Sequence, residues 1–331
     1  MTRPRTMPVT LGRRRFLGGL TGTAAALGLA ACGVSESDDD GGKDGKGGKG
    51  GKDAGTRSLK TDNGTVTVPA HPSRVVATVN YDALMLLDLG LVPVGVPDGT
   101  ALKTLMPAES FAELKDVKTI GAPGAPNAQA VAALKPDLIL DQFYKDKTAP
   151  LAKIAPVAYY EWGTSGALWH EQIAKIAKAV NREDRLTATR RQYEQRCKEV
   201  RTTYKKQIAA STWASLSGGQ SGKFYLGSPL LTVMRDLGLQ IGAGIPAKEA
   251  GFVEKSYEEL DVLDDCTVLL YAGSFDGPIP PPTQELLDNK LFKGVRAVKA
   301  GHAYPVKHYG VATYTFANGA VDEIEAVLKK L

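Results

Sequence analysis

The chain has 331 residues, 41 Lys and Arg against 36 Asp and Glu, and is 43% hydrophobic and 23% charged. That ordinary globular composition excludes collagen, coiled coil and wholesale disorder. The basic excess is local. Residues 1–31 hold Arg3, Arg5, Arg13, Arg14 and Arg15 and no acid, so the remainder carries no formal net charge. A nucleic-acid binder keeps a basic excess on its folded part, so no nucleic acid is expected as a partner.

Taken from the start, Phe16–Ala31 is a short apolar run diluted by four Gly and two Thr. It is too short for a spanning helix, which needs about 20 apolar residues. Basic start, apolar middle and small residues before Cys32 form a signal-peptide pattern over 1–31. Arg13-Arg14-x-Phe16-Leu17, with Arg15 at x, resembles the twin-arginine export signal, with Gly12 where Ser or Thr is usual before the pair. Leu29-Ala30-Ala31-Cys32 resembles the bacterial lipobox, which implies cleavage before Cys32 and lipidation of its thiol. A plain secretory signal with an incidental Cys is the alternative. Residues 33–58 contain nine Gly, six acids and five bases, with only Val34 and Ala54 apolar. Such a stretch cannot bury enough surface to offset chain entropy. Residues 32–58 are therefore expected to be a flexible tether, spanning about 30 Å.

Cys197 and Cys266 are the only other cysteines. A disulfide between them is possible in an oxidising compartment, and the absence of a CxxC pair argues against structural zinc.

From Thr65 onward, β-rich runs alternate with helical stretches. Strands are expected at Arg74–Val79, Val92–Val96, Lys118–Gly121, Asp137–Leu140 and Pro156–Tyr160. Helices are expected at Tyr81–Leu89, Ala128–Leu134 (with Asn127 as cap) and Ala149–Ile154. This makes an N-terminal lobe over 59–166 with a small parallel sheet. Residues 167–210 show helical spacing and no strand signal, and form a helical connector. The alternation restarts in a C-terminal lobe over 211–331. Its expected strands are Ser211–Leu216, Lys223–Leu226, Thr267–Tyr271 and His302–Pro305. Its expected helices are Ser228–Leu237, Glu258–Leu263, Thr283–Asn289 and Asn318–Leu331. The fold class is α/β: two lobes, each a small, mainly parallel sheet flanked by helices, joined by a long helix, with a cleft between them.

Three segments carry a family resemblance. They are Pro69–Val76 with Leu89–Gly95; Ile120-Gly121 with Asn127–Ile139; and Ser256–Leu260 with Val295–Tyr304. Together they resemble the periplasmic-binding-protein family that feeds ABC importers of iron–siderophore complexes, cobalamin and haem, over about residues 58–331. The resemblance implies two lobes on a stiff helical hinge, no catalysis and an ABC permease as partner. It also implies a location on the outer face of the cell membrane, held by lipid on Cys32. The chain is expected to act as a monomer. In the family a surface Glu on each lobe docks on the importer. The C-lobe position falls on Glu258, and the N-lobe position falls on Gln129, a departure.

Ligands of open α/β sheets sit beyond the carboxyl ends of the strands. The loops so selected are rich in aromatics, only 7% of the chain. Candidate ligand-binding residues are Tyr81, Gln142, Tyr144 and Trp162 on the N-lobe, and Tyr225, Phe275, Tyr309 and Tyr314 on the C-lobe. Trp162 and Trp169 have packing against the connector as an alternative role. Trp213 lies within a strand and belongs to the core. A ferric siderophore already satisfies its iron, so the protein needs an aromatic cup with a few donors. No intrinsic cofactor and no protein-held metal are expected. The C-lobe loops lack Arg, and Lys145, Lys147, Lys223 and Lys307 are the available cations. A triply anionic catecholate complex calls for several cations, so a neutral or weakly charged ferric hydroxamate is favoured, with cobalamin or haem as alternatives. His71, His170, His302 and His308 show no ligand spacing for bare zinc or manganese. His308 or Tyr309 remains a possible axial ligand if the cargo is haem.

A secreted hydrolase is the competing class. No Gly-x-Ser-x-Gly elbow occurs. Gly218–Lys223 falls one residue short of a phosphate loop, and Gly242–Ala247 matches a dinucleotide pattern but contains Pro246. A signalling receptor for the same chelate is the third reading.

Overall fold

The computed structural model describes residues 55–245 and 252–331. The leader, Cys32 and the tether up to Ala54 lie outside them, as do Pro246 and Ala247. The first described element is an antiparallel hairpin, β1 (Thr56–Thr61) and β2 (Gly64–Pro69). It corrects the expected tether boundary. Thr56, Arg57 and Ser58 are strand, because β2 supplies the ladder partners that a composition count cannot see.

The N-lobe runs β3 (Val75–Ala77), α1 (Asn80–Asp88), β4 (Gly95–Val96), α2 (Ala108–Leu114), β5 (Lys118–Thr119), α3 (Ala128–Ala133), β6 (Leu138–Asp141), α4 (Lys145–Thr148) and β7 (Val157–Tyr159). Its sheet has the order β5-β4-β3-β6-β7, with every pair parallel. The continuous apolar runs of β3 and β6 follow from burial on both faces. Val75, Val76 and Ala77, like Leu138, Ile139 and Leu140, have no exposed surface. Asn127 caps α3 as expected, its side-chain oxygen accepting from the N–H of Gln129 and Ala130.

The connector is three helices: α5 (Trp169–Val180), α6 (Glu183–Thr203) and α7 (Lys205–Ala210). Asn181 breaks α5 from α6 by adopting a left-handed conformation, φ 55°, which Asn tolerates better than most residues. The C-lobe contains β8 (Thr212–Gly218), β9 (Lys223–Leu226), α8 (Leu230–Asp236), β10 (Gln240–Ile241), β11 (Val253–Ser256), β12 (Val268–Ala272), α9 (Pro281–Asp288), α10 (Lys290–Gly294), α11 (Arg296–Lys299), β13 (Ala303–Val306) and α12 (Tyr314–Leu328). Its sheet, β11-β9-β8-β12-β13 with β10 beside β8, is mixed. The β8–β12, β12–β13 and β10–β8 pairs are parallel, and the two pairs made by β9 are antiparallel. The last helix starts at Tyr314, four residues before the expected Asn318, because the Thr313 hydroxyl caps it, accepting from the Phe316 N–H.

One hydrophobic core runs through both lobes by way of α5, α6 and α12, with a smaller one under the far face of the N-lobe sheet. Two further ties cross between lobes. Asp88, at the end of α1, accepts from the backbone N–H of Tyr314 at 2.7 Å and of Thr315 at 3.2 Å. The Thr104 carbonyl accepts from the Phe275 N–H and the Ser274 hydroxyl. Cys197 on α6 and Cys266 before β12 are both free, buried thiols, so the considered disulfide is not made. Among the described residues no helix is long and apolar enough to cross a membrane.

Candidate ligand-binding cleft

Between the lobes lies a cleft of about 720 Å³, within the size range of small-molecule sites. Its N-lobe wall is an aromatic cluster. Tyr81 sits in the first turn of α1, and Phe143 and Trp162 follow β6 and β7 at the carboxyl edge of the sheet. The Tyr81 and Trp162 ring centroids are 5.1 Å apart and nearly edge-to-face. Phe143 is 6.1 Å from Tyr81 and 5.9 Å from Trp162, the geometry aromatic quadrupoles favour. The Trp162 indole N–H donates to the Ala167 carbonyl at 2.9 Å, pinning the glycine-bearing rim 163–168. Trp169, 2% exposed, closes the back of the cleft.

The C-lobe wall is smoother and more polar. Ser217, Thr232 and Thr283 supply hydroxyls, Pro280 and Pro282 form a rigid lip, and Tyr309 stands at the floor. The Tyr309 hydroxyl donates to the Gly227 carbonyl at 3.3 Å. It lies beside Ser215, Ser217 and Ser228, and burial pushes its pKa up to about 12. Phe252, 57% exposed, completes the rim and meets the Tyr225 ring edge-on at 6.0 Å. Among the described residues that line the cleft, none carries a charged side chain. Lys223 is paired with Glu254 at 2.6 Å, and Lys145 lies over the Tyr159 ring; neither they nor Lys147 and Lys307 line the cavity.

The structure thus brings together three of the eight sequence-selected ligand candidates: Tyr81, Trp162 and Tyr309. The other five take different positions. Gln142 is fully buried behind the wall and donates to Asp82 at 2.6 Å. Tyr144 packs its ring against Gly124 on the outer rim. Tyr225 contributes through Phe252. Phe275 is edge-on to His308 at 4.7 Å, and its N–H makes the tie to Thr104. Tyr314 lies behind Trp169, 4.9 Å from its ring, in a separate cavity of about 260 Å³. Phe143, Trp169 and Phe252 also line the cleft, outside the eight sequence candidates. Phe143 had a signal: the Asp141 carboxylate accepts from the N–H of both Phe143 and Tyr144, an Asx-type turn that turns the loop at Phe143. Glu258 and Gln129 are both exposed. Among the described residues no group of three or more His, Cys, Asp or Glu could hold a metal ion.

Directly behind Tyr81, Asp82 is fully buried, and burial raises its pKa to about 8. One carboxyl oxygen takes the Gln142 amide; the other, Oδ2, has no hydrogen-bond partner, as suits a protonated acid. Because this pKa lies above that of an unfolded Asp, the native state holds the extra proton. The stability it contributes is full below about pH 4, falls as pH rises toward 8, and levels off above. The slope is at most about 1.4 kcal/mol per pH unit. Denaturant midpoints measured from pH 5 to pH 9 are expected to fall for the native chain and to flatten in Asp82→Asn. Equal slopes would refute a protonated Asp82.

Two α/β lobes joined by a helical connector, with an aromatic cleft whose described lining is uncharged at the carboxyl edges of both sheets, define a cleft-type solute receptor. The comparisons agree. The sequence matches the periplasmic binding protein family over residues 75–309. The siderophore periplasmic binding protein from the fuscachelin gene cluster of Thermobifida fusca is similar with a TM-score of 0.68 and 31% identity, covering 80% of this chain and 99% of that one. Two Bacillus subtilis proteins are also similar. The "Probable siderophore-binding lipoprotein YfiY" is 26% identical, covering 92% of this chain and 95% of its own length. The iron(3+)-hydroxamate-binding protein FhuD is 25% identical, covering 85% and 87%. The chain belongs to the periplasmic binding protein family.

Proposed function

We propose that this chain is the lipid-anchored, extracytoplasmic receptor of an ABC importer. It binds a ferric siderophore in the inter-lobe cleft, hydroxamates preferred, and delivers it to the permease without catalysis. Supporting the cargo class are relatives named for siderophore and iron(3+)-hydroxamate binding. Supporting the hydroxamate preference is the wall itself. Three monoanionic hydroxamates neutralise Fe(III), and a neutral chelate suits a cleft whose described lining has rings and hydroxyls but no charged side chain. A tris-catecholate complex retains three negative charges, and burying them beside no cation is costly. Haem fits poorly: the Tyr309 hydroxyl is bonded to Gly227, and His308 is held by Glu323 at 3.2 Å. Lipidation of Cys32 would keep the receptor near its permease, and Glu258 and Gln129 are the proposed contacts with it.

Fluorescence of Trp162 and Trp169 reports on the cleft. A ferric trihydroxamate is expected to quench it with a Kd below about 10 μM, near −7 kcal/mol. Ferric tricatecholate, haemin and cobalamin should bind at least about tenfold more weakly. Trp162→Ala should weaken the hydroxamate about tenfold by removing ring contact. Tighter binding of the trianionic chelate, or none of the four, defeats the reading.

A further inference from the structure

We propose that the outward face of α6 and α7 is a docking surface for the anionic phospholipid headgroups of the membrane. The inference deepens the anchored-receptor reading and rests on it. Three observations carry it. First, charge is concentrated here. From Asn181 to Lys206 the chain has nine Lys and Arg against four Asp and Glu, while the chain beyond the leader is formally neutral. Second, the charge is outward. Arg196 is consumed by Asp322 and Glu325 of α12, and Arg190 by Glu194. Arg182, Arg191, Lys198, Lys205 and Lys206 are exposed, and none is in an ion pair among the described residues. Arg191 and Lys198 stand seven residues apart on α6, on the side away from buried Tyr193, Cys197 and Val200, and Lys205 and Lys206 open α7 beyond the break at Tyr204. Asp184 lies seven residues before Arg191 on the same side, and Glu183 and Glu199 are exposed beside it, which leaves the stretch from Asn181 to Lys206 with a formal charge of plus five.

Third, the described residues begin at this corner. Arg57 in β1 donates to the carbonyls of Lys178 and Ala179 at the end of α5, and Asn181 donates to the Ala70 carbonyl. The Ala70 N–H in turn donates to the Gly55 carbonyl. The segment running back to Cys32 therefore starts beside Lys178 and Arg182. An anchor at Cys32 draws this corner toward the bilayer, and each cation near an anionic leaflet adds about 1 kcal/mol, or about fivefold.

The test uses the chain from Gly33 onward, which lacks both leader and thiol, so vesicle binding cannot come from a lipid anchor. It is sedimented with phosphatidylcholine vesicles and with vesicles also containing phosphatidylglycerol. Binding is expected only to the anionic vesicles and should be lost when salt rises from about 0.05 to about 0.5 M. Arg191→Gln, Lys198→Gln, Lys205→Gln and Lys206→Gln together should cost at least tenfold. The same number of charges removed at Lys290, Lys293, Lys299 and Lys330 should cost under about twofold. Equal losses in both sets, no preference for anionic vesicles, or binding of soluble poly(glycerol phosphate) without vesicle binding would each overturn the proposal. Chelate titration of the same variants reports on the cleft separately, so failure of the receptor reading is distinguishable from failure of the docking surface.

Discussion

Gly218→Ala is expected to lower stability by about 3 kcal/mol and to weaken ligand binding with it. Gly218 ends β8 where the first turn of α9 crosses it. A methyl group at this position would fall far inside contact with the carbonyl of Pro282 and the nitrogen of Thr283. Both obstacles are backbone, so no side-chain rotation relieves the clash. The Gly218 N–H also donates to the Thr283 hydroxyl at 3.2 Å, a bond lost once the strand and helix separate. Since Pro280 and Pro282 form the lip of the cleft, displacing α9 widens the cavity and removes contact area. Ser217→Ala, one residue earlier, adds no atoms and should change stability by under about 1 kcal/mol. Urea midpoints and chelate titrations of the two variants check this. A Gly218→Ala protein as stable as its parent would show that β8 and α9 are not held in this contact.

Asp88→Ala is expected to cost about 3 kcal/mol, and Asp88→Asn about 1. The Asp88 carboxylate comes from the N-lobe and receives the first two free N–H groups of α12 in the C-lobe. It therefore satisfies a helix end across the lobe boundary, where the helix dipole favours negative charge. The site is buried, with Asp88 7% exposed, and that burial raises its pKa although the Tyr314 and Thr315 amides oppose the shift. Truncation leaves the buried Tyr314 donor and the part-buried Thr315 donor unpaired, whereas Asn keeps one acceptor. Hydrogen exchange at the Tyr314 and Thr315 amides separates this account from general loosening. Both should lose protection in Asp88→Ala more than the interior of α12 does. Unchanged exchange there would show that Asp88 does not hold the start of α12.

Both contacts join segments far apart in the chain, beyond the reach of local sequence patterns. The alternation of β3, α1, β6 and β7 is visible because each is a local pattern: a doubly buried apolar run or, in α1, an apolar helical run closed by Gly90. The short hairpin β1–β2 is not. Thr56–Ser58 carry no pattern of their own, and pairing with β2 is what makes them strand. The carboxyl-edge rule points to the loops after β6 and β7, which line the cleft, and to Trp162 in the second of them, but not to which side chain of the first faces the cavity. In the loop after β6, Gln142 turns inward to Asp82 and Phe143 turns out, a choice made by the Asp141 turn. Tyr314 was selected as a loop residue, but a cap at Thr313 and a carboxylate from the other lobe draw it into α12.

Residue order alone thus determined the α/β class, the division into two halves around a helical middle, and the family segments, because periodicity, caps and short motifs are encoded within a dozen neighbouring residues. Tertiary structure alone decided which rings share the cleft, that its described wall is uncharged, that Cys197 and Cys266 stay apart, and that Asp88 ties one lobe to the other. Each of these depends on distances between side chains brought together only when the sheets and α6 have packed.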